Sequence, residues 1–183
     1  MRPFWLAACL SLSLAACSST PTQYYRLPDS AFSLPERNGT ATTVQVVLAP
    51  HLGSSSLVYQ NDALNLSFAR NHLWAEPLDL AIAKHLANRL NRLPNRYSFY
   101  SSDAFPTTAS AASAPQLTVY IESFQGSYHG HTRIQGYSRW RHAPAGGQNF
   151  DIRTPQQGDG YAAMTESLAQ GLDALAHTLN PTR

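Results

Sequence analysis

Two segments of this chain carry one apolar stripe each at helical spacing, and the apolar residues elsewhere run or alternate as they do in strands. That combination restricts the fold more than any other feature. Leu78, Ile82, Leu86, Leu90 and Leu93 recur every three or four residues, so one side of a helix is apolar. Lys84, Asn88, Arg89, Asn91 and Arg92 fall mostly on the other side. Pro77 suits the first turn, Glu76 stands favourably toward the N-terminal dipole, and Pro94 stops the helix. The second stripe is Tyr161, Met164, Leu168, Leu172, Leu175 and Leu179. It opens at Asp159, a good N-cap, and ends at Asn180-Pro181. Gly171 inside it costs about 1 kcal/mol relative to alanine, which points to a close approach to a sheet or to the first helix.

The remaining segments read as strands. Tyr24-Tyr25-Arg26-Leu27 is a first one, ended by Pro28-Asp29-Ser30, and residues 30–41 read as a loop. Val44 to Ala49 is a near-continuous apolar run, suited to a strand buried on both faces. Leu57-Val58-Tyr59 is a strand. Leu64 to Phe68 alternates strictly and is expected to be half-buried, with Asn61-Asp62 as the hairpin between the two. Tyr97 to Tyr100 follows the first helix, and residues 101–115 read as a mobile, low-complexity loop. Leu117, Val119 and Ile121, then His131 to Arg141, then Gln148 to Arg153 form a meander, with Gly146-Gly147 turning between the last two. The order strands, helix, strands, helix predicts a single α+β domain: a mixed, largely antiparallel sheet with both helices packed on one face.

The N-terminus carries a different signal. Arg2 precedes an apolar run, Phe4 to Ala16, that closes as Leu14-Ala15-Ala16-Cys17. A basic n-region, an apolar h-region and small residues before a cut site make a secretory signal. Ending in Cys, the stretch resembles a lipobox. That resemblance implies removal of residues 1–16 as a signal peptide, acylation of Cys17 (palmitate among the chains), a lipidated tether over 17–23 and a folded domain over 24–183. The run is too short for a bilayer-spanning helix of about 20 residues. One acyl chain holds a protein marginally and several hold it firmly, at about 0.8 kcal/mol per buried CH₂. The seven residues from Cys17 to Tyr24 reach at most about 25 Å, so the body must stay near the membrane face. Ser18 stands where enteric-type sorting places an Asp to retain a protein at the inner membrane, which implies the periplasmic face of the outer membrane.

Composition removes other classes. The formal net charge is +2, and charged residues make up 13% of the chain with no block of one sign, so no nucleic-acid footprint is present. Beyond Cys9 and Cys17 there is no cysteine, hence no disulfide or thiol chemistry in the body. His129-Gly130-His131 with His142 lacks a zincin spacing, so neither metal nor cofactor is expected. No nucleophile elbow, Walker loop or Gly-x-Gly-x-x-Gly occurs, and catalysis is not expected. Arg133, Arg139, Arg141 and Arg153 read first as a solvated strand face, or else as a patch for anionic lipid or an acidic partner.

Four separated segments also resemble one family. They are Tyr24-Tyr25-Arg26-Leu27; Val44-Gln45-Val46 through Pro50-His51-Leu52 to Leu57-Val58-Tyr59; Trp74-Ala75-Glu76-Pro77-Leu78; and Asp159-Gly160-Tyr161. In this order behind a lipobox they resemble the ABC-type transport auxiliary lipoproteins. The resemblance implies a non-catalytic outer-membrane component of an intermembrane lipid transport system, one that docks the conduit built by an MCE-domain protein and supports membrane integrity. A homo-oligomeric ring would match such a conduit. The other readings are a periplasmic lipid-binding carrier and a structural outer-membrane lipoprotein. Candidate partner contacts are Trp74, Tyr24, Tyr25 and Tyr161. Trp74 reads either as a staple packing the first helix on the sheet or as an interface anchor. Of the tyrosine pair, one should face the core and the other outward.

Overall fold

The computed structural model describes residues 20–106, 113–143 and 146–181. Along the chain lie β1 (Gln23–Tyr25), β2 (Thr40–Leu48), a 3-10 turn (Pro50–Leu52), β3 (Ser56–Gln60), β4 (Leu66–Trp74) and α1 (Leu78–Arg92). Then follow β5 (Tyr97–Ser101), β6 (Gln116–Ser127), β7 (His131–Arg141), β8 (Gln148–Pro155) and α2 (Gly160–Leu179). All eight strands form one mixed sheet. The antiparallel ladders are β3–β4, β6–β7 and β7–β8, while β1–β4, β2–β5, β2–β6 and β3–β6 are parallel.

The sheet forks at β6. Along one side β6 pairs with β7 over its whole length, Gln116↔Arg141 to Ser127↔His131. Along the other, its first half takes β2, from Thr43↔Gln116 to Leu48↔Ile121. Its last residues take β3, at Tyr59↔Gly126 and Gln60↔Ser127. The β6–β7 register shifts between Ile121 and Ser123, and an extra residue of this kind bends a strand and strengthens its twist. One branch is therefore β2–β5 and the other β3–β4–β1.

Both helices cover the same face. α1 packs on β2 and β5, α2 on β7, β8 and β6, and the two helices touch. The stripe expected on α1 is realised by Ile82, Leu86 and Leu90, which are fully buried with Val44, Phe99, Leu117 and Val119. Leu168, Leu172 and Leu175 of α2 bury equally, as does Ile134 beneath them. Each such side chain is worth about 1.5–3 kcal/mol of transfer free energy. Gly171 meets the sheet: a Cβ there would stand 2.9 Å from Ile134 Cδ1 and 3.1 Å from Thr154 Oγ1.

The polar side of α1 is not a solvated face. The chain from β1 to β2 crosses it as a strap. Asn88, buried, donates to the carbonyls of Asp29 (2.9 Å) and Ala31 (2.8 Å) and accepts from the Ser33 amide (3.0 Å). Arg92 forks onto Asp29, and Arg37 donates to the carbonyls of Asn91, Leu93 and Asn95. Glu76, read as a dipole partner, instead accepts from Ser30 Oγ at 2.6 Å and pairs with Arg26 and Lys84. The expectation of a half-buried Leu64–Phe68 is also corrected. Leu64 lies exposed in the turn, Leu66 and Phe68 face outward, and Ala69 is the buried neighbour.

Between the helices, His85 Nε2 and Arg89 Nε both donate to Asp173 Oδ1, at 2.9 and 2.8 Å. His85 is buried and its Nδ1 has no partner. Burial pushes its imidazole below the ordinary value of 6.5; Asp173 pulls upward, but Arg89 already neutralises that carboxylate. Unfolded, the ring takes a proton near 6.5; folded, only at lower pH. The stability it supports is thus complete above 6.5 and falls as pH drops below it. Urea midpoints measured from about pH 7.5 downward are expected to decline through this window, and His85→Gln to flatten the decline. The bend in β6 gives a second expected outcome. A Cβ on Gly136 would collide with the Tyr120 carbonyl oxygen, a backbone atom. Gly136→Ala is expected to destabilise by about 3 kcal/mol in denaturant unfolding.

Candidate functional site

β1 is a three-residue edge strand beside β4, with Gln23↔His72, Tyr24↔Leu73 and Tyr25↔Trp74 in register. Alternation along the strand sends the two tyrosines to opposite sides. Tyr24 is 67% exposed. Tyr25 turns inward and its hydroxyl donates to Gln23 Oε1 at 2.7 Å. That hydroxyl lies 2.9 Å from His72 Nδ1. The phenol oxygen thus bridges the Gln23 amide and the His72 ring. The His72 ring stacks on Tyr161 at 4.2 Å between centroids, and Tyr25 lies 6.4 Å from Tyr161.

Candidates read from distant parts of the sequence thus meet at one place. Tyr25 and Tyr161, from opposite ends of the chain, are joined by His72. Tyr24 sits on the outer side of the same strand. Trp74 does not join them at the surface. It is buried and its ring packs against Phe124 at 5.9 Å, the core role of the two read from the sequence.

Beside Tyr161 opens a cleft of about 530 Å³, lined by Tyr59, Tyr128, Met164, Gln156 and the turn 158–160. Gly126 on β6 lies against two of the cleft's lining residues. A Cβ there would stand 2.5 Å from Met164 Sδ and 2.8 Å from Tyr59 Cδ2, so a side chain at this position would push both away from the strand. Asp159 occupies the N-cap of α2 with extended backbone but makes no side-chain capping bond, and it lines the cleft.

The β3–β4 hairpin ends at the same edge of the sheet. Asp62 accepts from Asn65 Nδ2 (2.7 Å) and from the Leu64 and Asn65 backbone amides (2.8 and 2.9 Å). Those bonds, the Asn65 side chain's foremost, hold its carboxyl below the usual carboxylate range. Asn61 bonds Ser67 across the turn. Tyr128 donates its amide to the Gln60 carbonyl and so borders the hairpin.

The arginines of the meander are mostly spoken for. Arg133 forks onto Asp151, which also pairs with Arg153, and Arg139 lies over the Tyr137 ring. Arg133 holds the Asp151 carboxyl below its usual range. Among the described residues no group of three or more His, Cys, Asp or Glu is placed to hold a metal ion. Among them, too, no helix is long and apolar enough to cross a membrane. Cys17, expected to be acylated, and residues 1–16, expected to be a signal peptide, lie outside the described residues.

The sequence profile of the ABC-type transport auxiliary lipoprotein component matches residues 25–180. The chain belongs to that family. It is similar to the intermembrane transport lipoprotein PqiC of Escherichia coli K12, 28% identical over 176 residues that make up 90% of this chain and 89% of the relative. The PqiC of Shigella flexneri matches with the same identity and coverage. Among solved structures, an uncharacterised protein superposes with a TM-score of 0.73 at 25% identity, over 87% of this chain and 97% of that one. A Xanthomonas campestris protein superposes at 0.60 with 12% identity, over 89% and 85%, a likeness of fold.

The family match begins at Tyr25, the residue that ties the edge strand to α2. Tyr25→Phe removes the hydroxyl that bridges Gln23 and His72. A loss of about 1 kcal/mol is expected from denaturant unfolding, with earlier cleavage of the N-terminal segment in limited proteolysis.

Proposed function

We propose that this lipoprotein is anchored through acylated Cys17 in the outer membrane, after removal of residues 1–16, and docks an MCE-domain lipid conduit at that membrane. The observation that carries the reading is the alignment of nearly the whole chain with PqiC, named as an intermembrane transport lipoprotein. The architecture supports it. The segment leading from Cys17 enters at an edge strand, and the exposed ring of Tyr24, the Tyr25–His72–Tyr161 cluster and the adjoining cleft all lie where that segment meets the body. Aromatic rings of this kind are favoured at protein interfaces. The role is non-catalytic: the protein positions one end of a conduit and supports membrane integrity. A homo-oligomeric ring would match the symmetry of such a partner.

Cross-linking in intact cells followed by purification is expected to recover an MCE-domain protein. Repeated recovery of none, with the partner genes expressed, ends the reading. Cys17→Ser is expected to leave the outer-membrane fraction and to fail in restoring the barrier. The carrier reading has one observation in its favour, the 530 Å³ cleft, a size that ligand sites take. Native mass spectrometry separates the two: lipid that co-purifies in a fixed ratio supports a carrier, a clean unliganded mass the docking role.

A further inference from the structure

The β3–β4 hairpin is an unusual place for large apolar side chains. Leu64, Leu66 and Phe68 are exposed at 92%, 36% and 46%, and Tyr128 beside them at 43%. Single exposed apolar residues are ordinary, whereas a group of four at one projecting edge marks a contact surface. The turn is built to present them. Asp62 spends both carboxylate oxygens on Leu64, Asn65 and the Asn65 amide group, which fixes Leu64 outward. Arg70, two residues beyond Phe68 on the same face, is also exposed.

The direction of β1 says what covers this edge. β1 and β4 run parallel, and β4 starts at the hairpin. The chain reaching Gln23 therefore arrives from the hairpin side. Cys17 precedes Gln23 by six residues, and Leu66 precedes Gln23's partner His72 by the same six. Six residues extend to about 20 Å at most, a length sufficient for an anchor at Cys17 to stand level with the hairpin.

We infer that the β3–β4 hairpin is a second membrane contact: Leu64, Leu66 and Phe68, with Tyr128 at their border, enter the lipid interface beside the Cys17 anchor and fix the orientation of the body on the bilayer. Aromatic rings and aliphatic side chains partition to that depth, and an arginine such as Arg70 reaches the headgroup phosphates while its stem lies along apolar surface. The inference rests on the anchoring at Cys17 proposed above. It adds a fixed tilt to what would otherwise be a body swinging on a short leash, so that the cleft and the Tyr24 edge are held close to the lipid surface.

Past Cys17 the chain has no other thiol, so a single introduced cysteine can be labelled alone. Leu64→Cys in the full-length lipidated protein, labelled with an environment-sensitive dye, is placed in vesicles of phosphatidylethanolamine with a minority of phosphatidylglycerol and nitroxide-bearing lipid. Asn38→Cys is the control, exposed in the loop before β2 on the other branch of the sheet. Quenching by the lipid nitroxide is expected to be several-fold stronger at position 64 than at 38, and to weaken when Leu66 and Phe68 are both changed to Ser. Equal, weak quenching at both positions in protein that floats with the vesicles overturns the inference while leaving the anchor intact. Protein that does not float refutes the anchor, and the inference with it. A dye at position 64 that is shielded without vesicles, in a chain of dimeric or larger mass with Cys9 and Cys17 both changed to Ser, assigns the hairpin to a second copy and overturns the membrane contact.

Discussion

Everything in this molecule hangs on the hydrogen-bond ladder of β6. One strand of twelve residues serves as the common edge of two half-sheets, and β7 runs along its full length on the other side. The bend at Ile121 and Ser123 is what lets a single strand turn from one branch to the other. Gly136 is its counterpart on β7, since no side chain fits against the Tyr120 carbonyl. α1 covers the β2–β5 branch and α2 the meander, so the helix pair must close over the fork. Asp173, shared between His85 and Arg89, joins the helices where they meet.

The elements were legible in the sequence because burial on one face leaves a period behind. The stripes of Ile82, Leu86 and Leu90 and of Leu168, Leu172 and Leu175 pointed to helices, and the structure buries both on one side of a sheet. The fork was not legible. Pairing between β3 and the last residues of β6 is a contact between distant segments, and no local pattern encodes it. Two features of burial lay outside the pattern. Polarity at Asn88 gave no sign of the strap that covers it, since an amide can be buried when its donors and acceptor find backbone partners. Alternation at Leu64, Leu66 and Phe68 showed that these residues share a side, but period alone does not say whether that side faces core or solvent.

The candidate site was legible in part. Tyr25 and Tyr161 stood out within separate short motifs, and the fold brings them to either side of His72. That histidine had no signal of its own: one imidazole in a strand reads like any other polar residue. Gly126, against which Tyr59 and Met164 pack, was equally silent. Trp74 was conspicuous for its size, and size is also what a core uses, as its contact with Phe124 shows.

The shortness of β1 has a mechanical consequence. Tension arriving through the N-terminus runs along the axis of a strand that is parallel to β4 and paired over three residues. Hydrogen bonds stressed along the strand resist together, in shear, and do not unzip one at a time. Just past them, Arg26 and Ser30 grip Glu76, and Glu76 grips Lys84 on α1. A tug from outside the body is thereby handed to the first helix within a few residues, and the edge strand is spared from peeling away.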